Sequence, residues 1–270
     1  MAVNWVDRVP TNPNRMKITP ENGSAYYATV ERADNPSVEG TPVNARNLNA
    51  MQDAAGLSAN KTVYVSTSGS DSVGDGSAAN PYATINKALS TIPKNLNGFT
   101  ATVNIAAGTY TENATIQNFG NGVLTITGTA GNVITLSGMW VYNCQYVEIN
   151  NISLQFANAY LNVYCSNLRV TSPVTAGNSN YGVYCGFFAN VVCSSTVTVN
   201  NTTNYAVVST SSSRIYIQEL LGTGNKMSVA STLGGVCVLG KDSSTTSGAQ
   251  YFTDTGGRIL AGSQTQVPNY

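Results

Sequence analysis

The 270-residue chain carries thirteen basic and thirteen acidic residues, so no net field draws it to nucleic acid or to an anionic membrane. Only 10% of residues are charged, low for a globular enzyme, and the Gly, Asn, Ser and Thr that take their place suit an all-β protein rich in turns. No apolar stretch approaches the roughly 20 residues of a membrane-spanning helix, and histidine is absent, which excludes imidazole-based nucleophilic and metal sites.

Eleven of the charged residues fall within residues 1–60. That step in composition predicts two parts, an N-terminal segment over 1–60 and a second domain over 61–270, with the boundary between Ala59 and Thr62. Residues 1–20 hold no apolar core of a secretory signal. The five cysteines (Cys144, Cys165, Cys185, Cys193 and Cys237) are odd in number and have no C-x-x-C pair. They are therefore expected to be reduced core residues of a protein made in the cytosol. One helix is expected before the boundary: Thr41 can cap it, Pro42 fits its first turn and Gly56 can close it. Leu48, Met51 and Ala55 fall on one stripe of it. A lone helix this short needs a partner, so these three residues are a candidate oligomer seam.

Past the boundary a strand is expected around Val63 and Val65, then a loop from Ser66 to Asn80. A helix from Tyr82 to about Ile92 follows, with Ile85, Ala88, Leu89 and Ile92 on one face and Pro93 ending it. From residue 103 an apolar–any–apolar triplet recurs seven times, as Val103-Asn104-Ile105, Leu124-Thr125-Ile126, Val147-Glu148-Ile149, Leu168-Arg169-Val170, Val191-Val192-Cys193, Ile215-Tyr216-Ile217 and Val236-Cys237-Val238. Their starts lie 21, 23, 21, 23, 24 and 21 residues apart. A second series, Val141-Tyr142, Val163-Tyr164, Val183-Tyr184 and Val207-Val208, keeps step with the first, and a weaker third includes Ile134-Thr135-Leu136, Ile152-Ser153-Leu154 and Val197-Thr198-Val199.

Strands this short cannot bury themselves singly. Two or three per 20-odd residues, each with alternate side chains inward, stack into a right-handed parallel β-helix of about seven coils. Leucine-rich repeats share the period but need a recurring Leu framework, which is missing. The helix after Tyr82 is placed to cap the first coil. The far end is expected to be covered by the tail Gln250–Leu260 or by a neighbouring subunit.

Catalytic chemistry finds few candidates. Between residues 80 and 240 the acids are Glu112, Glu148 and Glu219. Glu148 and Arg169 share an outward triplet position on adjacent coils, which reads as an exposed salt bridge. The loop Gly69–Gly76 has the Asp and Gly of tight turns, not the ligand spacing of a calcium loop, so no metal and no cofactor is expected. Cys165 and Cys185 read as an inward pair one coil apart. Tyr142, Tyr164 and Tyr184 should form an outward tyrosine ladder. Together with Tyr216 they are candidates for contact with sugar rings or another subunit.

Two stretches resemble known families. Val63-Tyr64-Val65-Ser66, Gly69-Ser70-Asp71, Asp75-Gly76, Asn80-Pro81-Tyr82-Ala83-Thr84-Ile85 and Val103 to Tyr110 resemble the opening segment of pectate-lyase-like β-helix proteins, which include enzymes and non-enzymes. Asn4-Trp5-Val6-Asp7-Arg8-Val9, Pro13-Asn14-Arg15, Arg32-Ala33-Asp34 and Glu39 to Asn49 are similar to the start of fibre proteins of phages and prophages of Gram-positive bacteria. That likeness implies a virion protein, usually a homotrimer, and the missing histidine and few carboxylates of the coils lead to the expectation that it is not an enzyme. It would attach through residues 1–60, with Trp5, Asp7 and Arg8 as candidate anchors, to tail, baseplate or capsid (head fibre) proteins. Its β-helix would face the host and its cell-wall polysaccharide. The alternative is a tailspike-like depolymerase, a hydrolase or lyase on the same scaffold. A bacterial adhesin would call for an export signal, which residues 1–30 do not carry.

Overall fold

The structure, a computed structural model, describes residues 56–156, 158–248 and 250–261, together with the backbone of strands Arg15–Ile18, Tyr26–Thr29 and Thr265–Gln266. The chain divides into two compact units, 1–55 and 56–270. In the first, Arg15–Ile18 and Tyr26–Thr29 pair antiparallel, with Arg15 opposite Thr29. The helix expected after Thr41 lies outside the described residues.

The second unit is the right-handed parallel β-helix that the triplets predict, with about seven turns. Three parallel ladders run along it, here called faces A, B and C. Face A stacks Lys61–Val65, Thr100–Ile105, Val123–Thr127, Val147–Ile149 and Asn167–Val170. It continues through the first halves of Asn190–Asn200, Arg214–Leu221 and Val236–Asp242 to Arg258–Ala261. The second halves of those three strands belong to face B, where Ile134, Leu154, Val174, Val197 and Leu220 stand in register. Face C runs from the second half of Gly108–Gln117 to Tyr251–Thr253.

Alternation explains the core. Val63, Val103, Ile126, Ile149, Val170, Cys193, Ile217 and Leu239 occupy one inward row of face A and are all buried. Each removes its side chain from water against the coil above and below, a gain of roughly 1.5–3 kcal/mol for a Val, Leu or Ile. At face C the equivalent row changes chemistry, from Ile116, Val141 and Val163 through Cys185 to Ser209 and Ser231. The buried serines are satisfied locally: Ser209 Oγ donates to the Val236 carbonyl at 3.1 Å and Ser231 Oγ to the Gly235 carbonyl at 2.7 Å.

Helix α1 is shorter than its apolar spacing predicts, spanning Ile85–Ser90. Tyr82 is drawn into a parallel bridge with Val65, and extended Thr84 caps the helix by accepting from the Lys87 amide. Ile85, Ala88 and Leu89 are buried against the first coil. Two carboxylates from elsewhere tie down the helix start. Glu112 accepts from the Ile85 amide at 2.6 Å and the Asn86 amide at 3.0 Å. Asp71 accepts from the Ala83 and Thr84 amides at 2.8 and 3.1 Å. Both meet orphan helix-end donors with negative charge.

The far end differs from expectation. Gln250 to Leu260 is no cap; it supplies a further coil, with Tyr251–Thr253 pairing Met227–Ser231 and Arg258–Ala261 pairing Val236–Asp242. The strand Thr265–Gln266 then runs antiparallel along the outer edge of Arg258–Ala261. Reversal of the chain there covers part of an edge that would otherwise template further pairing. No helix among the described residues is long and apolar enough to cross a membrane.

Glu112→Ala is expected to lower stability by about 1–3 kcal/mol, because the first two helical amides, one part-buried and one exposed, lose a charged acceptor. A urea titration followed by circular dichroism checks this, with the midpoint falling at unchanged slope.

Candidate functional site

Face C carries an aromatic patch assembled from several coils. Its register places Tyr142 beside Tyr164 and then Gly186, and places Trp140 beside Asn162 and then Tyr184. The spacing of the Val-Tyr pairs implies instead that Tyr184 continues the Tyr142–Tyr164 row. It stands one row back because Cys185, not Val183, is the inward neighbour of Val163. All three tyrosines still face outward.

Ring contacts join them. Tyr142 and Tyr164 are stacked, 5.2 Å between centroids and 4° between planes. Tyr184 and Phe187 each lie 5.6 Å from Tyr164. Trp140 meets Tyr142 edge-on at 6.3 Å, and Tyr181 meets both Tyr184 and Tyr160 edge-on at 5.3 and 5.7 Å. Seven rings thus form one connected surface. Such pairs are worth about 0.5–1.5 kcal/mol each beyond burial. Packing of the rings desolvates the phenols. Tyr164 is pushed up to about 12, first by burial and then by the phenols of Tyr184 and Tyr142. Tyr142 and Tyr184 are also raised, again chiefly by burial. All three stay protonated through the neutral range and can both donate and accept.

Asn162 sits in the middle of this patch. Its neighbours on adjacent coils are Trp140 and Tyr184, and two residues either way along the chain stand Tyr160 and Tyr164. The residue is only 4% exposed, and its Oδ1 is buried with no hydrogen-bond partner. Leaving such an acceptor unmet costs about 1–3 kcal/mol.

The corner after face C adds a second oddity. Each coil turns there through a left-handed residue: Asn118, Asn143, Cys165, Phe187 with Phe188, Ser211 with Ser212, Leu233 and Thr255 all have positive φ. Asn tolerates this conformation, but Phe and Leu do not do so readily. Phe187 and Phe188 are nevertheless placed there, with φ of 53° and 62°, and are 53% and 77% exposed. The left-handed corner recurs in every coil, and in this one two exposed rings occupy it beside the patch.

The remaining sequence candidates disperse. Tyr216 lies on face A, 38% exposed, in a shallow groove with Arg214, Val238, Arg258 and Leu260, and takes no part in the patch. Cys165 does not join Cys185 in the core; it is exposed in the left-handed corner, whereas Cys144, Cys185, Cys193 and Cys237 are buried. Burial raises the Cys144 thiol, pushes those of Cys185 and Cys193 up to about 12, and raises that of Cys237 further. Glu148 pairs with Arg169 at 3.3 Å on face A, and Glu219 with Lys241 at 2.8 Å on face B. Asp75 accepts from the Ser77 amide within its own turn. Among the described residues no three His, Cys, Asp or Glu come together to hold a metal. Trp5, Asp7 and Arg8, and the seam residues Leu48, Met51 and Ala55, lie outside the described residues.

Trp140, Tyr160, Asn162, Tyr181 and the two phenylalanines escaped the sequence reading, since no repeat places them. The only available signal was the density of aromatics between residues 140 and 188. No family model, curated protein or solved structure matches the chain.

Two outcomes follow from this geometry. Phe188→Asn should stabilise the fold by about 1 kcal/mol, read as a raised thermal midpoint, because Asn accepts the left-handed conformation and little packing is lost. A maleimide at pH 8 should label one thiol per native chain, at Cys165, and the other four only after unfolding.

Proposed function

We propose that the chain is a structural fibre subunit of a bacteriophage or phage-derived particle, attached through residues 1–60 and presenting face C to a cell-surface glycan. The observation that carries the contact is the connected, outward aromatic patch on a rigid parallel β-helix, with its strained corner and unmet amide. Aromatic bodies with polar tips suit sugar rings, apolar on one side and hydroxylated on the rim. The N-terminal likeness to phage fibre proteins supplies the attachment half of the reading, with tail, baseplate or capsid as the docking partner and a homotrimer as the working unit. Three copies would multiply a weak site contact into useful avidity.

Binding without cleavage fits the placement of the acids. Glycoside hydrolysis ordinarily needs a pair of carboxylates flanking one bond. In the described coils Glu148 and Glu219 stand on different faces, each against a basic partner, and Glu112 is bound to helix amides.

Size-exclusion chromatography with light scattering should give about three chain masses, and the protein should retain host envelope polysaccharide without releasing reducing ends. A clean monomer overturns the fibre reading. Sustained release of reducing ends overturns it in favour of a depolymerase.

A further inference from the structure

We propose that the shallow groove on face A binds an acidic glycan in which carboxylate-bearing sugars alternate with neutral ones, held by Arg214 and Arg258 over an apolar floor. The groove lies on a different face from the aromatic patch, and the inference goes beyond the face C contact without depending on it.

The outward residues of face A change character along the helix axis. The row through Glu148 and Arg169 turns apolar as Val192, Tyr216, Val238 and Leu260. The row beside it runs Asn190, Arg214, Val236 and Arg258. Over the last coils the two rows line an open groove of about 460 Å³. Tyr216 is 38% exposed there, and Arg214 and Arg258 are exposed with it.

Charge sets the sign of the ligand. Elsewhere on the coils Glu148 holds Arg169 and Glu219 holds Lys241. Among the described residues neither Arg214 nor Arg258 has an ion-pair partner. The nearby acids are engaged away from the groove. Asp242 accepts from Ser228, Ser244 and Gln250. Asp254, in the turn before Arg258, acts on the Tyr205 phenol of face C, which is raised by burial and then by Tyr181 and Asp254. Two planar guanidiniums held open to water fit the paired oxygens of carboxylates. A symmetric contact between two copies of this face would instead set arginine against arginine, with no acid in the groove to separate them.

Shape sets the class of polymer. The strands beneath the groove, Arg214–Leu221 and Val236–Asp242, are hydrogen-bonded on both sides. An extended peptide therefore cannot join them as a further strand, and recognition falls to side chains. Val238, Leu260 and the Tyr216 ring offer apolar surface that suits the C–H side of a pyranose and gives little to a bare phosphodiester chain. Arg214 and Arg258 stand two coils apart, about 9.6 Å, with uncharged Val236 between them. An extended β-linked sugar chain laid along the axis advances by close to one coil per sugar. Charged sugars then fall on the two arginines and a neutral one on Val236.

The test is isothermal titration of the full-length protein with oligomers that alternate glucuronate and N-acetylglucosamine. N-Acetylglucosamine oligomers, galacturonate oligomers and polyglycerol phosphate are titrated beside them. The alternating oligomer should bind with an affinity that falls as salt rises. Arg214→Gln and Arg258→Gln should each weaken it about tenfold, at an unchanged thermal midpoint because both side chains are exposed. Binding of neutral oligomers at face C should be the same in both variants. Unchanged affinity for the alternating oligomer in the two variants overturns the groove as its site. Tighter binding of galacturonate oligomers overturns the alternation, and equal binding of polyglycerol phosphate overturns the sugar. A salt-sensitive rise in mass without any ligand, lost in the arginine variants, assigns the groove to a second copy and overturns the proposal.

Discussion

The described coils depend on one constraint, the parallel register that sets each coil about 4.8 Å above the last. Stacking by register means that a residue's nearest neighbour is the residue at the same position one coil on. Like meets like wherever the sequence repeats. Two like charges at that separation repel by on the order of 1–3 kcal/mol at effective dielectrics between water and a protein surface. The scarcity of charge in the coils follows from this. Where charges do occur on adjacent coils they come as opposites, Glu148 under Arg169 and Glu219 under Lys241. Arg214 and Arg258 share a column, but Val236 stands between them.

The same constraint made most of the fold legible. Inward positions must recur with the coil, so the apolar triplets of face A stood out and gave the architecture and most of its coils. Legibility failed where the inward residue changed type or the period broke. The strand around Val63 and Val65 was legible, but the loop and helix between Lys61–Val65 and Thr100–Ile105 set it off from the repeat by some 35 residues, so its place as the first rung was not. Small polar residues replaced aliphatic ones at Ser209 and Ser231, because carbonyls of the same coil, and for Ser209 also of the next, can satisfy their hydroxyls. Arg258–Ala261 read as tail for a similar reason, since its flanking Gly and Thr residues announce turns more strongly than Ile259 announces a strand.

Register also accounts for the one misreading inside the patch. A Val-Tyr pair recurs at Val183-Tyr184, and sequence likeness puts it level with Val163-Tyr164. Backbone pairing answers to turn length, and the left-handed corner aligns Cys165 with Phe187 through the bond from the Cys165 amide to the Phe187 carbonyl. That single alignment carries Cys185 into the core, leaves Cys165 in the turn, and moves Tyr184 next to Asn162. A shift of two residues keeps a side chain on the same face, which is why the tyrosines remained outward although the row was wrong.

Sites on a β-helix run across the chain rather than along it, and this limits what any linear pattern can disclose. Trp140, Asn162 and Tyr184 belong to three coils and form one row only after register is set. Tyr160 and Tyr181 enter from the strand starts and Phe187 from the corner. None of these positions has to repeat, because each meets a different neighbour above and below. The core is under the opposite pressure, since an unlike residue in an inward row leaves a void or an unpaired polar group. A β-helix therefore writes its scaffold periodically and its recognition surface aperiodically. Where an outward row departs from the turn-forming and hydroxyl residues around it, periodicity gives no sign of the change, and register alone brings Trp140, Asn162 and Tyr184 together.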